Sequence, residues 1–239
     1  MIKLNEDKTK NIALIVIAAL TFTAVLVYVI ARTPSAKEIF EKVANGVVEL
    51  KCEDAESAQA FGTAVLTDEN WTFATNAHIV THTRLGQPTT FGAFYIRFSF
   101  EEEYREAELI KCDTDADLAL LRIKDPPKFK PEPIKIGSDK IYSGDTVYAV
   151  GNSQNYGISI SRGIVGIPLV KIEYENTVRS VIQCDLTITE GNSGGALLDE
   201  RGRLIGITTF RTKDGAGRVN YGIAYCIPIG DVKSFLNGE

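Results

Sequence analysis

The hydrophobic pattern changes character once along this chain. From Ile12 to Ala31, twenty residues run without a charge, interrupted only by the small hydroxyl residues Thr21 and Thr23 and by Tyr28. A helix of that length rises about 30 Å, the thickness of a bilayer's hydrocarbon core. A buried core helix would carry a polar face, and this stretch has none. The pattern predicts a transmembrane helix over 12–31, after a short tail at 1–11. The rival reading is a cleaved secretory signal. Its apolar stretch is shorter, about 7–15 residues, yet Val29-Ile30-Ala31 offers a small-residue cleavage site.

Beyond residue 31 the pattern is different. Residues 32–43 read as a juxtamembrane linker and short helix, with Ser35 as its cap and Glu38 three residues on. Then come short β-rich runs separated by turn residues. Val47–Cys52 alternates, Gly62–Thr67 ends at Asp68-Glu69-Asn70, and Ala93–Phe100 places Phe94, Ile96 and Phe98 on one face. Leu118–Ile123 is nearly continuous apolar. Residues 125–133 hold Pro126, Pro127, Pro131 and Pro133, which no central strand tolerates, so this segment joins two halves. The second half repeats the texture at Thr146–Val150, Ile158–Val165, Val178–Asp185, Gly195–Leu198, Leu204–Phe210 and Tyr221–Ile227. A short helix over Gly230–Leu236 closes the chain. Two strings of short strands around a proline-rich connector predict an all-β domain over 44–239, built as two antiparallel barrels at about 44–125 and 134–228.

Composition changes this picture little. The chain has 239 residues, 44% hydrophobic and 24% charged, with a net charge of −5. No basic run is present, which argues against a nucleic-acid partner, because phosphates need clustered Lys and Arg. Lys3, Lys8 and Lys10 precede the apolar span, and Arg32, Lys37 and Lys42 follow it, so the positive-inside count is near balance. The large domain following the span is assigned to the extracytoplasmic side. Cys52, Cys112, Cys184 and Cys226 are spaced by 60, 72 and 42 residues, with no CxxC and no metal signature. They read first as buried small hydrophobes. One disulfide per barrel, Cys52 with Cys112 and Cys184 with Cys226, is the pairing an oxidising compartment would permit. No metal or other cofactor is expected.

The sharpest chemical signal is Gly191-Asn192-Ser193-Gly194-Gly195. A serine hydroxyl needs a held base to become a nucleophile. Flanking glycines free a loop to turn its N–H groups inward, so those of Gly191 and Ser193 are candidates to stabilise an oxyanion. A plain glycine-rich turn between strands is the bland alternative. The pentapeptide also fits the nucleophile elbow, but that arrangement places its histidine after the serine. Here the two histidines, His78 and His82, both precede Ser193. His78 follows an apolar run among small residues, whereas His82 lies in a polar stretch and reads as a surface residue. Of the nearby acids, only Asp117 abuts a buried run, while Asp113 and Asp115 suit a solvated turn. The order is therefore His78, Asp117, Ser193, with steps of 39 and 76 residues. In that arrangement Asp117 orients the imidazole.

These motifs resemble those of trypsin-like serine proteases, and most closely the HtrA/Deg group. Thr75-Asn76-Ala77-His78-Ile79-Val80 resembles the group's histidine motif and Asp117-Leu118-Ala119-Leu120-Leu121 its aspartate motif. Gly191–Leu197 with Gly202 and Leu204–Ile207 resembles its serine motif and the strand after it. The resemblance covers about residues 44–236. It implies two six-stranded chymotrypsin-like barrels, serine endopeptidase activity on protein or peptide substrates, and action on unfolded or damaged extracytoplasmic proteins, in a bacterial cell membrane or secreted if the span is cleaved. Thr187 lies where an enzyme for basic residues would carry aspartate, so the expected substrate pocket, formed by Thr187, Ile188, Glu190, Thr208 and Phe210, is small and apolar. It should accept Val, Ile or Ala.

The chain also departs from the group. Its relatives usually carry a PDZ domain after the protease, whereas here the chain ends three residues after the predicted closing helix. Capture of substrate by such a domain is not expected. A homo-oligomer stays open, since loops Phe91–Tyr104 and Lys171–Arg179 give the group's trimer no support. Asn192 stands where many zymogens carry aspartate, so ordering of the loop by substrate or partner is expected rather than by a new N-terminus. A catalytically silent, membrane-tethered binding or sensor module on the same fold is the alternative function.

Overall fold

The computed structural model describes residues 6–55, 58–84, 87–174, 177–212 and 218–238. The chain divides into two compact units, Met1–Pro34 and Ser35–Glu239. The first contains α1 (Glu6–Ala31), a helix of 26 residues. It starts earlier than the apolar run because Lys8 and Lys10 are themselves good helix formers. Its stretch Lys10–Val27 has a mean hydropathy of 2.2 and no part buried against protein, so it is long and apolar enough to cross a membrane. The Thr21 and Thr23 hydroxyls donate to the carbonyls of Ile17 (2.9 Å) and Ala19 (2.8 Å), which leaves neither hydroxyl unmet on the apolar surface.

The second unit opens with α2 (Ala36–Val43). Its capping box forms as the sequence predicts: the Glu38 N–H donates to Ser35 Oγ and the Ser35 N–H donates to Glu38 Oε2. Ile39 and Val43 face inward.

The first barrel comprises β1 (Val47–Glu53), β2 (Gln59–Leu66), β3 (Thr72–Thr75), β6 (Ala93–Arg97), β7 (Arg105–Asp113) and β8 (Leu118–Ile123). The single-turn helix α3 (Ala77–Val80) and the hairpin of β4 (Thr81–Arg84) and β5 (Gln87–Thr90) lie between β3 and β6. The strands pair in the order β1-β2-β3-β8-β7-β6 and close. The second barrel comprises β9 (Thr146–Asn152), β10 (Ile158–Tyr174), β11 (Thr177–Asp185), β12 (Ala196–Asp199), β13 (Leu204–Phe210) and β14 (Ala224–Pro228). It closes in the order β10-β11-β14-β13-β12-β9. Helix α4 (Ile229–Asn237) follows.

Each barrel has its own core. Leu50, Phe73, Ile96 and Leu121 fill the first, and Val147, Ile182, Leu197 and Ile205 the second. A third cluster forms the seam, where Val47, Val65 and Leu118 meet Val150, Leu198, Ile207 and Val232, with Ile39 and Val43 of α2 packed in. Burying each large aliphatic side chain contributes about 1.5–3 kcal/mol. The proline-rich segment forms no strand. The residues after it lace the barrels together: the Ile134 N–H donates to Leu66 O and the Gly137 N–H to Leu204 O.

Strand β10 runs nine residues past its predicted end at Val165. Gly166 and Pro168 argue against continuation, but the ladder to β11 shifts register between Val165 and Ile167 and again between Ile167 and Val170. Bulges absorb a residue that cannot donate.

All four cysteines are free thiols. The predicted pairing of Cys52 with Cys112 is corrected by register. Cys52 lies opposite Phe94, and Phe94 opposite Ala107, so Cys112 is two strands away and further displaced along β7. Cys184 and Cys226 are neighbours on the paired strands β11 and β14 but remain free thiols, and the neighbouring Cys184 thiol together with burial pushes the Cys226 thiol's pKa up.

Candidate active site

Strand β3 delivers the chain to α3, and its first turn carries His78. The preceding Asn76 is fully buried and its amide donates to the Asp117 carbonyl at 3.0 Å. Asp117 ends a turn that Asp113 organises by accepting from the N–H groups of Asp115 and Ala116, both at 2.9 Å. Its φ of +54° is unusual for a non-glycine residue, though aspartate is among the residues that tolerate it. That conformation turns the carboxylate inward, where it is 2% exposed.

Several donors converge on this carboxylate. His78 Nδ1 lies 2.9 Å from Oδ1 and 3.0 Å from Oδ2, and the His78 backbone N–H donates to Oδ1 at 3.0 Å. The Thr209 hydroxyl donates to Oδ2 at 2.6 Å. Burial pushes the carboxyl's pKa up, but the His78 ring and its charge, the Thr209 hydroxyl and the His78 N–H outweigh it and hold the group below its ordinary value. An ionised Asp117 fixes the Nδ1–H tautomer, which leaves Nε2 free to accept a proton.

Ser193 lies in the loop before β12. It and His78 line one cavity of about 190 Å³. In this state the Ser193 hydroxyl donates to the Thr209 carbonyl at 2.8 Å rather than to His78. Transfer to Nε2 takes a rotation of the side chain, a common difference between unliganded and reacting geometry. The Asn192 N–H donates to Thr189 O at 3.1 Å and Gly191 has φ +89°. Together these mark a type II turn, whose third position favours glycine. A Cβ on Gly191 would sit 2.2 Å from the Asn152 carbonyl. Among the described residues, the N–H groups of Gly191 and Ser193 have no protein acceptor.

Of the residues expected to form the substrate pocket, Ile188, Glu190 and Phe210 line the cavity, joined by Thr189, Thr209, Arg211 and Val219. Thr187 and Thr208 do not line it. Thr187 is exposed, and Thr208 is buried with its hydroxyl on the Asn192 carbonyl at 2.6 Å. The pairing of β13 with β14 shifts register between Thr208 and Phe210. The bulge turns Thr209 toward the Asp117 carboxylate. Strict alternation gives no signal for that, and only a list of buried hydroxyls near Asp117 would have found it. His82 is half-buried rather than at the surface, because it stacks on Phe91 with ring centroids 4.7 Å apart. It lines a neighbouring cleft of about 480 Å³ that shares His78 and Phe210 with the first. Among the described residues, no group of three His, Cys, Asp or Glu side chains converges as metal ligands would.

The profile of the family described as Trypsin-like peptidase domain matches residues 62–207. The chain is 32% identical over 188 residues to Protease Do-like 1, chloroplastic, of Arabidopsis thaliana, covering 76% of this chain and 40% of that protein. It is 41% identical over 129 residues to the periplasmic pH-dependent serine endoprotease DegQ of Escherichia coli, covering 52% of this chain and 26% of that one. The chain thus spans less than half the length of these relatives. Among solved structures, the HtrA-type protease AlgW with tripeptide superposes with a TM-score of 0.70 at 26% identity, over 85% of this chain and 63% of that one. The chain belongs to the trypsin-like peptidase family and is homologous to the HtrA/Deg serine endoproteases.

Proposed function

We propose that this chain is a membrane-anchored serine endopeptidase with His78, Asp117 and Ser193 as its triad. The observation that carries the reading is the meeting of a held imidazole and a serine hydroxyl at one cavity, on a loop where, among the described residues, the N–H groups of Gly191 and Ser193 have no protein acceptor. In the reaction His78 Nε2 takes the proton from Ser193 Oγ as that oxygen attacks the scissile carbonyl. The N–H groups of Gly191 and Ser193 receive the developing oxyanion. His78 then gives its proton to the leaving amine, and water releases the acyl group by the same steps in reverse. Asp117 keeps the imidazolium favourable without taking the proton itself.

Walls of Ile188, Phe210 and Val219 around about 190 Å³ suit a small apolar residue before the scissile bond. We take unfolded or damaged chains as its substrates, the expectation that the resemblance to the HtrA/Deg group carries. The apolar α1 supports a single-pass anchor with residues 44–239 as the protease domain on the extracytoplasmic side, or a secreted form if that segment is cleaved. The test uses the full chain in detergent micelles, unfolded casein, and Ser193→Ala as control. Cleavage by the wild type alone is expected. A peptide-library profile dominated by Lys and Arg would refute the pocket assignment.

One observation favours the second reading, a silent membrane-tethered binding module. The Ser193 hydroxyl is engaged by Thr209 and not by His78. Labelling of Ser193 by a fluorophosphonate separates the two, because only an activated serine reacts.

A further inference from the structure

A trans peptide plane carries a carbonyl on one edge and the next residue's N–H on the other, pointing the opposite way. The direction of the Ser193 N–H is therefore set by what holds the Asn192 carbonyl, and that of the Gly191 N–H by what holds the Glu190 carbonyl. Thr63 on β2 holds two other carbonyls of this loop. Its hydroxyl donates to Gly191 O at 2.6 Å and its backbone N–H to Ser193 O at 2.9 Å. Those carbonyls share their planes with the Asn192 and Gly194 N–H groups. The Thr63 contacts seat the loop against barrel one but do not aim its free donors.

The two planes that do aim them are held differently. Glu190 O accepts from the Gln154 N–H at 2.7 Å and, on the exposed side, from the Thr189 hydroxyl at 3.4 Å. Asn192 O accepts from the Gly195 N–H at 3.0 Å and from the buried Thr208 hydroxyl at 2.6 Å. Thr208, on β13, is 1% exposed and is itself fixed on both sides. Its N–H donates to Gly195 O and its carbonyl accepts from the Gly194 N–H, both at 2.9 Å. Glycine at 195 makes room for the contact, because a Cβ there would lie 2.8 Å from Asn192 O and 3.1 Å from Thr208 Oγ1. A flip of the 192–193 plane would reverse the Ser193 N–H and take the acceptor from both Gly195 and Thr208. Stranding that one hydroxyl away from water costs about 1–3 kcal/mol.

We propose that Thr208 is a positioning residue for catalysis. Its hydroxyl holds the plane between Asn192 and Ser193 in the orientation that leaves the Ser193 N–H free for the oxyanion, before substrate arrives. A residue expected as a pocket wall thus acts from behind the loop, and the ordering expected from a substrate or partner is supplied at this plane by β13. The kinetic part of this inference rests on the serine endopeptidase reading; the conformational part does not.

The test compares the wild type with Thr208→Val, which keeps the branched shape and removes the hydroxyl, and with Thr208→Ser, which restores it. Thr208→Ala is read in the same way as valine, so the outcome does not hang on how a methyl packs beside Asn192 O. Two readouts are taken on full-length protein. The first is peptide hydrolysis, with inhibition by a matched peptide aldehyde whose hemiacetal oxygen uses the same donors. Loss of the hydroxyl should lower kcat by about three- to thirty-fold, less than outright removal of an oxyanion donor, with KM nearly unchanged. Aldehyde affinity should fall in step with kcat, and Thr208→Ser should recover most of both. The second is amide hydrogen exchange at Gly195, whose N–H shares the Asn192 carbonyl with Thr208. Exchange there should speed up in Thr208→Val and Thr208→Ala and return in Thr208→Ser. Exchange at Gly194, held by the Thr208 backbone carbonyl, should stay at its wild-type rate. Wild-type kcat and aldehyde affinity in folded Thr208→Val and Thr208→Ala would overturn the proposal. So would unchanged exchange at Gly195, or equal acceleration at Gly194, which would mean a loosened strand rather than a turned plane. An inactive wild type with faster exchange at Gly195 alone in the variants would sink the endopeptidase reading and leave the held plane standing.

Discussion

The two halves of the site are built on opposite principles. Around Asp117, buried groups are matched with partners: two donors from His78 and one from Thr209 reach the carboxylate, and Asn76 secures the backbone carbonyl. Around Ser193, the carbonyls are matched and, among the described residues, the N–H groups of Gly191 and Ser193 are left over. The difference follows from when each charge appears. Asp117 is charged throughout, so it must be satisfied at rest. On the proposed endopeptidase reading, the oxyanion exists only during reaction, so its donors stay unspent until then.

The largest test of this contrast is Ser193→Ala. It should lower the turnover of unfolded casein by about a million-fold, with the melting temperature little changed, because the hydroxyl's one bond is to a carbonyl at the cavity. Asp117→Asn should lower kcat by about 10⁴-fold, since the amide would favour the wrong imidazole tautomer. A steady-state assay across pH would detect it. Thr209→Val removes one donor from the buried carboxylate and keeps the carbonyl that holds Ser193. Chemical denaturation should report a loss of about 1–3 kcal/mol, and kcat should fall by less than in Asp117→Asn.

The smallest effect is on acid stability. Asp117 has its pKa held below the ordinary carboxylate value in the folded state. The unfolded chain therefore binds a proton first as pH falls. The stabilisation is complete above the unfolded value and is lost as pH drops through the lower folded one. Thermal melts of the wild type should fall more steeply than those of Asp117→Asn across that acid window. Parallel curves would mean that the carboxylate is not the group that senses it.

Much of this was legible in the residues, for local reasons. The capping box at Ser35 and Glu38, the alternation of β6 and the break at Pro126–Pro133 are short-range signals, and each stands where the pattern put it. His78, Asp117 and Ser193 were identifiable because glycine-rich and small-residue surroundings mark them one at a time. Thr209 and Thr63 were not. Each is one hydroxyl in a β-run, and nothing nearby distinguishes it from Thr72. The extent of β10 was misjudged because Gly166 and Pro168 are normally stop signals, and only pairing with β11 accommodates them.

The sequence by itself determined many of the strands and helices and the chain order of His78, Asp117 and Ser193, because these depend on residues close in the chain. Tertiary structure alone decided what meets across the seam. Thr63 reaches Gly191 over a separation of 128 residues, and Thr209 reaches Asp117 over 92. It decided the cysteines too, parting Cys52 from Cys112 and setting Cys184 and Cys226 side by side on paired strands as free thiols. The reason is the same in each case: strand register and bulges set which way a side chain points, and both are properties of a pair of strands rather than of one.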